Sequence, residues 1–344
     1  MRARLILLPL ILLAVLGVAY TALWFYAAGV VRDGIARWIA DERAQASFIE
    51  YKTLEVGGFP LSLIATATDF SIRRADGLNW RGPELRAWAK PWNPLKIMVD
   101  LPGEQEAAIL GSGGAPPVSI LAKDGGTGRV DLKLNGAVEG AVLHLTRVTA
   151  GQPGGVVAAS LDQLELRAAF PESAPADHTG TAVTIQADLK RISLPPDTKT
   201  PLGRMVDSMS FTTRIKGLIP DRFTQPAIAA WSESGGTVDV DALDLAWGPL
   251  VLKGAGTLAL DRTLQPMGAL SAEVQGLNPT MDSLAGAGVV RPGDAAMAKV
   301  ALGLLSRRTT PDNQPIVEAS LTAQDGWLYF GPVRLLRMPR IIWE

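Results

Sequence analysis

The sequence of 344 residues contains no cysteine and only two histidines. The absence of cysteine excludes disulfides, thiolate metal sites and thiol nucleophiles. Basic and acidic side chains nearly balance, with 33 Lys and Arg against 34 Asp and Glu. A surface that binds nucleic acid needs a marked excess of basic residues, so this balance argues against a nucleic-acid partner.

The sequence also contains few patterns that are typical of catalytic or metal-binding sites. His144 lies in a stretch with the alternation of a strand, and His178 lies in a polar loop, so neither has the neighbours expected of a metal ligand or a catalytic base. The glycine-rich segment 111–114 does not match the motif of a serine hydrolase, and the chain has no phosphate-binding glycine motif. We therefore predict no catalytic residue, no cofactor and no metal ligand, and we expect that the protein is not an enzyme.

Asp239, Asp241 and Asp244 lie close enough in sequence to be considered as ligands of a hard cation. Asp239 and Asp241 occupy the polar positions of a strand pattern, and no calcium loop of the EF-hand type surrounds them. We expect these carboxylates to be solvated.

What the sequence does contain is a long apolar run at its N-terminus. No charged residue occurs from Leu5 to Val31. At about 1.5 Å per residue, a helix of this length exceeds the roughly 30 Å hydrocarbon core of a bilayer. Arg2 and Arg4 precede the run, and positive charge beside a first span stays in the cytoplasm, so the rest of the chain is expected to be exported.

A cleaved signal peptide is the alternative interpretation. Gly17, Val18 and Ala19 supply small residues at the spacing that a signal peptidase recognises. The apolar run continues beyond this site, and the aromatic segment 24–26 lies where the membrane interface would be. These features favour a transmembrane anchor over residues 1–31.

Beyond the anchor, the period of the apolar residues changes. Residues 32–47 predict a helical extension, because Ile35, Trp38 and Ile39 recur at helical spacing. From 48 to 344, apolar and polar residues alternate, and turns rich in Gly and Pro separate the runs. Strands are predicted at 61–73, 130–135, 161–168, 183–190, 209–216, 256–261, 269–275 and 316–323. The predicted fold is mainly β (α+β): an elongated, curved antiparallel β-meander with a few short covering helices.

The alternation slips by one residue between 236 and 247. Val238 and Val240 are apolar at even positions, whereas Leu243 and Leu245 are apolar at odd ones. One extra residue near Asp241, in a β-bulge, would keep both halves of the strand facing the same core.

Two helices are predicted late in the chain. Asn278 is expected to cap the first, with Pro279 as its first residue and with Met281, Leu284 and Ala285 facing inward. The second covers 293–306, and the residues expected to face inward are Met297, Val300, Ala301, Leu304 and Leu305.

A short motif of an aromatic residue followed by Gly-Pro occurs three times, at 80–85, 247–250 and 330–333. Pro fixes φ and Gly permits a tight reversal, so each copy predicts a hairpin corner. Residues 111–117 and 171–180 are expected to be loops.

Three further segments carry a resemblance to a known family. They are Val56–Leu61, Trp88–Pro94 and Asp325–Pro332, in this order after the anchor. Together they resemble the bacterial domain-of-unknown-function family 2125 over almost the whole chain. The resemblance implies an envelope protein anchored in the bacterial inner membrane, with residues 48–344 in the periplasm. More distantly, the architecture is similar in style to the AsmA-like proteins, which implies a β-rich groove that carries lipid.

Two functions follow as hypotheses. In the first, the apolar face of the sheet binds or transfers a lipid or another amphiphile, because few covering helices are predicted. In the second, the core is closed and the protein is a structural or interaction protein of the cell envelope without a ligand. The expected partners are the bilayer through the N-terminal helix, a lipid ligand in the first case and envelope proteins in the second.

Overall fold

The computed structural model describes residues 2–343 apart from 46, 75–76, 110–116, 153–154, 156, 196–199, 221–223, 289–290, 306–307, 310–314, 332, 339 and 342. The helices are α1 Arg2–Ala44, α2 Gln225–Glu233, α3 Leu277–Gly286 and α4 Pro292–Leu305. The strands are β1 Phe48–Glu50, β2 Thr53–Gly57, β3 Leu63–Arg73, β4 Leu78–Lys90, β5 Asn93–Leu101, β6 Gln105–Ile109, β7 Val118–Ala122, β8 Gly126–Leu132, β9 Val138–Gly151, β10 Val157–Ala169, β11 Thr181–Ser193, β12 Met205–Lys216, β13 Val238–Trp247, β14 Leu250–Leu260, β15 Pro266–Gln275, β16 Arg308–Thr309, β17 Pro315–Gln324, β18 Trp327–Phe330 and β19 Val333–Arg337.

The strands form one large antiparallel sheet in which most neighbours in sequence are paired from β8 onward, whereas β4 pairs with β6 and β5 with β8. From β8 to β15 each strand pairs with the next along the chain, and the order then continues through β17, β18 and β19. β5 and β6 lie end to end against β4, and β8 and β7 lie end to end against β9. The predicted mainly β meander with a few short helices is therefore confirmed.

The sheet has two ends that differ in their connections. The turns 58–62, 91–92 and 133–137 lie at one end, which we call the near end, and the loop 170–180 and the connection 217–237 lie there too. The opposite end, which we call the far end, carries the β3–β4 and β13–β14 turns.

α1 is a single helix that continues through the segment predicted as a helical extension and ends at Ala44. By length and composition it is the one described helix apolar enough to cross a membrane. Its second half contacts the sheet, because Trp24 and Ala28 pack against Leu63 of β3 in a buried apolar cluster.

The sheet is interrupted along one transverse row. Asp69, Arg147 and Arg191 have positive φ within β3, β9 and β11, and the breaks between β5 and β6 and between β7 and β8 fall at the same level. In β9 two polar residues, Thr146 and Arg147, separate Leu145 from the buried Val148. The register does not shift there, because Thr146 pairs with Gln163 and Val148 with Leu161, so the row consists of positive-φ residues and not of β-bulges. We call this row the crease.

The bulge predicted in β13 is confirmed. Val240 pairs with Thr213 and Ala242 with Thr212, so Asp241 is the extra residue. The register toward β14 shifts at the same place. Leu243 and Leu245 consequently keep the face of Val240.

Two predictions about turns need correction. Leu134 was expected to be an inward residue of a strand over 130–135, but β8 ends at Leu132 and Leu134 lies exposed in the β8–β9 turn. Gly136 with positive φ and the Asn135 side chain, which accepts from the Ala137 N–H, form that turn. Of the Gly-Pro motifs, the second and Gly331 of the third lie at hairpin corners as predicted, whereas Gly82 and Pro83 lie in the interior of β4. Pro332 lies outside the described residues.

The late helices also differ from the prediction. Gly276, in the left-handed conformation, precedes α3, so Asn278 is inside the helix and does not cap it. In α4, Met297 and Val300 are exposed, while Ala295 is buried. The helix is apolar around most of its circumference, so spacing alone does not define its buried stripe. The side chains of Ala301, Leu304 and Leu305 and the loop residues 111–116 lie outside the described parts of the structure.

Candidate functional site

The most extensive feature of the sheet is a continuous apolar face. Residues that lie directly opposite each other on paired strands share one face. On one side, the cross-strand partners in β9 to β13 form three rows: Leu145, Leu164, Leu189, Met209 and Leu245; Leu143, Leu166, Ala187, Phe211 and Leu243; Ala141, Ala168, Ile185, Thr213 and Val240. We call this side the apolar face.

The other side of the same strands is charged. The row that alternates with Leu143 and Leu145 consists of His144, Glu165, Asp188, Ser210, Asp244 and Lys253. We call this side the polar face. The contrast assigns the apolar face to the interior of the molecule or to an apolar ligand, and the polar face to water.

Helices cover the apolar face at its two lateral edges. Next to α1, the buried cluster contains Trp24, Ala28 and Leu63. At the other edge, Leu277 of α3 packs against Val274 and Val317. In the parts of the chain that the structure describes, the clusters that include a helix lie at β2–β3 and at β14–β17, and the central strands β9–β13 lie between them.

Most side chains of the central rows are intermediate in burial, whereas Ala187 and Val240 are buried. Leu143, Leu166 and Phe211 retain part of their accessible surface, whereas Val148 beside the crease is 2% exposed. The apolar side of the central strands is therefore not fully covered by protein.

α2 lies at the near end of these strands. Trp231 donates from Nε1 to the Lys216 carbonyl at 2.8 Å, and its ring occupies the space that a side chain at Gly236 would need. Ile228 of the same helix is buried. α2 thus closes part of the near end beside β12 and β13.

The polar face carries networks of ion pairs. Asp239 is 2.7 Å from Lys216 Nζ and accepts from Thr257 Oγ1 at 2.8 Å, and Arg214 Nη2 is 2.6 Å from Asp241. The hydrogen bond from Lys216 is the main cause that lowers the pKa of Asp239, with Thr257 and Arg214 adding to it. The hydrogen bond to Asp241 raises the pKa of the Arg214 guanidinium. Asp239 and Asp241 are thus bound to basic side chains of β12, and Asp244 faces Lys253 at 3.8 Å.

The two histidines lie in the strand and in the loop that were predicted for them. His144 is on β9 with Nδ1 3.1 Å from Glu165 Oε2, and His178 is in the loop 170–180.

Recesses of about 720 Å³ and 800 Å³ open on the polar face, the first beside Lys96, Arg129 and Arg167. Their charged linings make them unsuited to an acyl chain.

Sequence reasoning identified the one-sided strands but not the rows that they form. Which leucine lies beside which depends on register, and the register passes through the crease and the β13 bulge. α2 was not predicted, and the binding of Trp24 to the sheet was not predicted either. A Pro at the second position of α2 and the following Ile228-Trp231 spacing were the available signals.

The arrangement defines a class of protein: an apolar N-terminal helix attached to an open antiparallel meander with one apolar and one charged face. Residues 24–339 match the family described as "Uncharacterized protein conserved in bacteria (DUF2125)", and the chain belongs to this family. No curated protein and no solved structure matches the chain. The likeness to AsmA-like proteins stays a prediction.

Proposed function

We propose that the protein is an envelope protein, anchored in the bacterial inner membrane by α1, that binds an acyl chain or another amphiphile along the apolar face. The observation that carries the proposal is the apolar face across β9–β13, between the helices that cover its edges. Leaving such a surface in water is costly, since burying apolar surface gains roughly 25 cal/mol per Å². An acyl chain would remove this surface from water without requiring polar contacts.

The anchor supplies access to such a ligand. Arg2 and Arg4 precede the apolar run, which orients the N-terminus to the cytoplasm and the sheet to the periplasm. α1 is attached directly to β2 and β3 through Trp24, so the sheet is held next to the bilayer. The proposed partners are therefore membrane lipids, with no nucleic acid.

The proposal assigns binding and not catalysis. The carboxylates that were candidates for chemistry, Asp239 and Asp241, are engaged by Lys216 and Arg214. The charged groups of the polar face stabilise the fold and its solubility in this reading.

One observation favours the alternative of a closed core without a ligand. Ala187 and Val240 on the apolar face are less than one tenth exposed. If the sheet curls far enough for opposing rows to meet, it fills its own interior, and the protein would act through envelope proteins instead.

Site-specific photocrosslinking separates the two. Phe211 on the apolar face and Ser210 on the polar face are neighbours in β12. Phe211→benzoylphenylalanine, irradiated in intact membranes, is expected to yield a phospholipid adduct detected by mass spectrometry, and Ser210→benzoylphenylalanine is the matched control. Crosslinks from position 211 only into the protein's own strands, without a lipid adduct, would reject lipid binding in favour of the closed core.

A further inference from the structure

We propose that the near end of the sheet, on the side next to α1, is seated in the surface of the bilayer that α1 enters. The proposal rests on the anchoring of α1 under the proposed function. It adds a second membrane contact, made by the turns of the β-domain.

α1 fixes which end of the sheet faces the membrane. Tyr20 donates from its hydroxyl to the Pro60 carbonyl, and Trp24 Nε1 donates to the Ser62 carbonyl at 3.1 Å, both in the turn 58–62 at the near end. Arg43, at the other end of the helix, donates to the Ile49 carbonyl at 2.7 Å. Ile49 pairs with Ile72, which lies toward the far end of β3.

The lengths of α1 and of β3 agree with this placement. From Tyr20 to Arg43 a helix extends roughly 36 Å, and the eleven residues of β3 extend about 37 Å. The second half of α1 therefore runs alongside β3, and the residues before Tyr20 project beyond the near end. The bilayer that receives them must lie against the turns of that end.

Those turns expose large apolar side chains. Phe59 and Leu61 in the turn 58–62 are 47% and 67% exposed, Trp92 in the next near-end turn is 62% exposed, and Leu134 in the β8–β9 turn is 94% exposed. Phe59 also stacks on Phe25 of α1, with ring centroids 5.8 Å apart. Apolar side chains at successive turn tips would be unfavourable in water, while aromatic rings at a bilayer surface are favourable.

A basic group accompanies one of these tips, since Lys90 Nζ lies 5.7 Å from the centre of the Trp92 ring. Lys133, which precedes Leu134, instead donates from Nζ to the carbonyls of Pro171 and Glu172. A Lys beside an interfacial aromatic residue can meet lipid phosphates.

Apolar side chains are also exposed farther along the near end, because Phe170 in the loop 170–180 is 40% exposed and Leu218 in the connection 217–237 is 63% exposed. The turns 261–265 and 325–326 differ, because they begin with Asp261 and Asp325. Exposed apolar side chains thus extend along the near end from α1 to the connection 217–237.

The absence of cysteine permits a direct test with single labels. The full chain, carrying Leu61→Cys or Leu134→Cys labelled with an environment-sensitive fluorophore, is reconstituted into phosphatidylethanolamine–phosphatidylglycerol vesicles with or without spin-labelled lipid. Val157→Cys is the matched control at the far end, since Val157 is 48% exposed at the start of β10. Leu16→Cys reports on the anchor itself.

The proposal predicts that labels at 16, 61 and 134 lose most of their fluorescence to the spin-labelled lipid, while the label at 157 does not. Quenching at 16 alone would overturn the seating of the near end and leave the anchor intact. A label at 134 that is blue-shifted but not quenched would indicate a protein contact and would equally overturn it. Absence of quenching at 16 would overturn the anchoring, and the inference with it.

Discussion

The side chain of Gln105 occupies the space above Gly82. Gln105 is buried, donates from Nε2 to the carbonyls of Glu84 and Pro102 at 3.1 and 3.2 Å, and accepts from Trp80 Nε1 at 3.3 Å. A Cβ on residue 82 would lie 2.1 Å from Gln105 Oε1. This contact explains why a glycine lies in the interior of β4, where the sequence motif alone predicted a corner.

Gly82→Ala should therefore displace Gln105 from its three partners. We expect the free energy of unfolding to fall by about 1 to 3 kcal/mol, as in other overpacked sites. Denaturant unfolding of the detergent-solubilised protein measures it. Gly57→Ala in β2 is the control, because nothing lies near a Cβ at that position. Equal stability of both variants would contradict the role given to Gln105.

Trp24→Ala should loosen α1 from the sheet. Trp24 is buried against Leu63 and donates to Ser62, and truncating a buried Trp costs about 3 to 5 kcal/mol. Hydrogen exchange of the amides in β2 and β3 should become faster in detergent. Tyr26→Ala, at an exposed position of the same helix, should leave exchange unchanged; similar exchange in the two variants would count against the attachment.

Asp239→Asn tests the ion pairs of the polar face through pH. Because Lys216 lowers the pKa of Asp239 in the folded protein, the ionised carboxylate stabilises the fold above the unfolded-state pKa of about 3.9. This stabilisation is lost as the pH falls through the folded-state pKa. We expect the variant to be less stable at neutral pH by about 1 to 2 kcal/mol, with the difference vanishing in acid.

The control for that pH series is Asp244→Asn. Asp244 is half exposed and lies 3.8 Å from Lys253, so its loss should change stability by less than about 0.5 kcal/mol. A difference for Asp239→Asn that stays constant from neutral to acidic pH would refute the assignment.

Deletion of Asp241 tests the bulge of β13. Without the extra residue, Leu243 and Leu245 would turn toward the polar face, since a shift of one residue exchanges the faces of a strand. We expect the deletion variant to lack protease-resistant folded protein. Deletion of Ala174 from the loop 170–180 should be tolerated, and a stable Asp241 deletion would show that the strand can re-register.

The sequence was most informative about features that lie within a single strand. The slip between Val240 and Leu243 is visible in the alternation, and it located the bulge. Leu134 continues the same alternation beyond the end of β8, so the pattern could not show that Asn135 and Gly136 already form a turn. Met297 and Val300 of α4 were predicted to face inward but are exposed. When a helix is apolar on most sides, its sequence does not show which side packs against the protein.

The candidate site was less accessible from sequence because it depends on long-range register. Leu166 and Phe211 share a row because Leu166 pairs with Ala187 and Ala187 pairs with Phe211. Their placement therefore depends on the register of two strand pairs. Arg147 and Arg191 have positive φ at the crease, and an arginine in the sequence does not predict that conformation. The one-sided strands could be predicted, but not the continuous surface that they form.

The order of the strands also bears on how the molecule is made. Since β9 through β15 each pair with the preceding strand, every new hairpin can add to an edge that already exists as the chain emerges during synthesis. The longest connection among these strands is 217–237, which contains α2, and no early segment has to wait for the C-terminus. A polypeptide with this layout can gain or lose a hairpin in the course of evolution while the rest of its sheet stays in place.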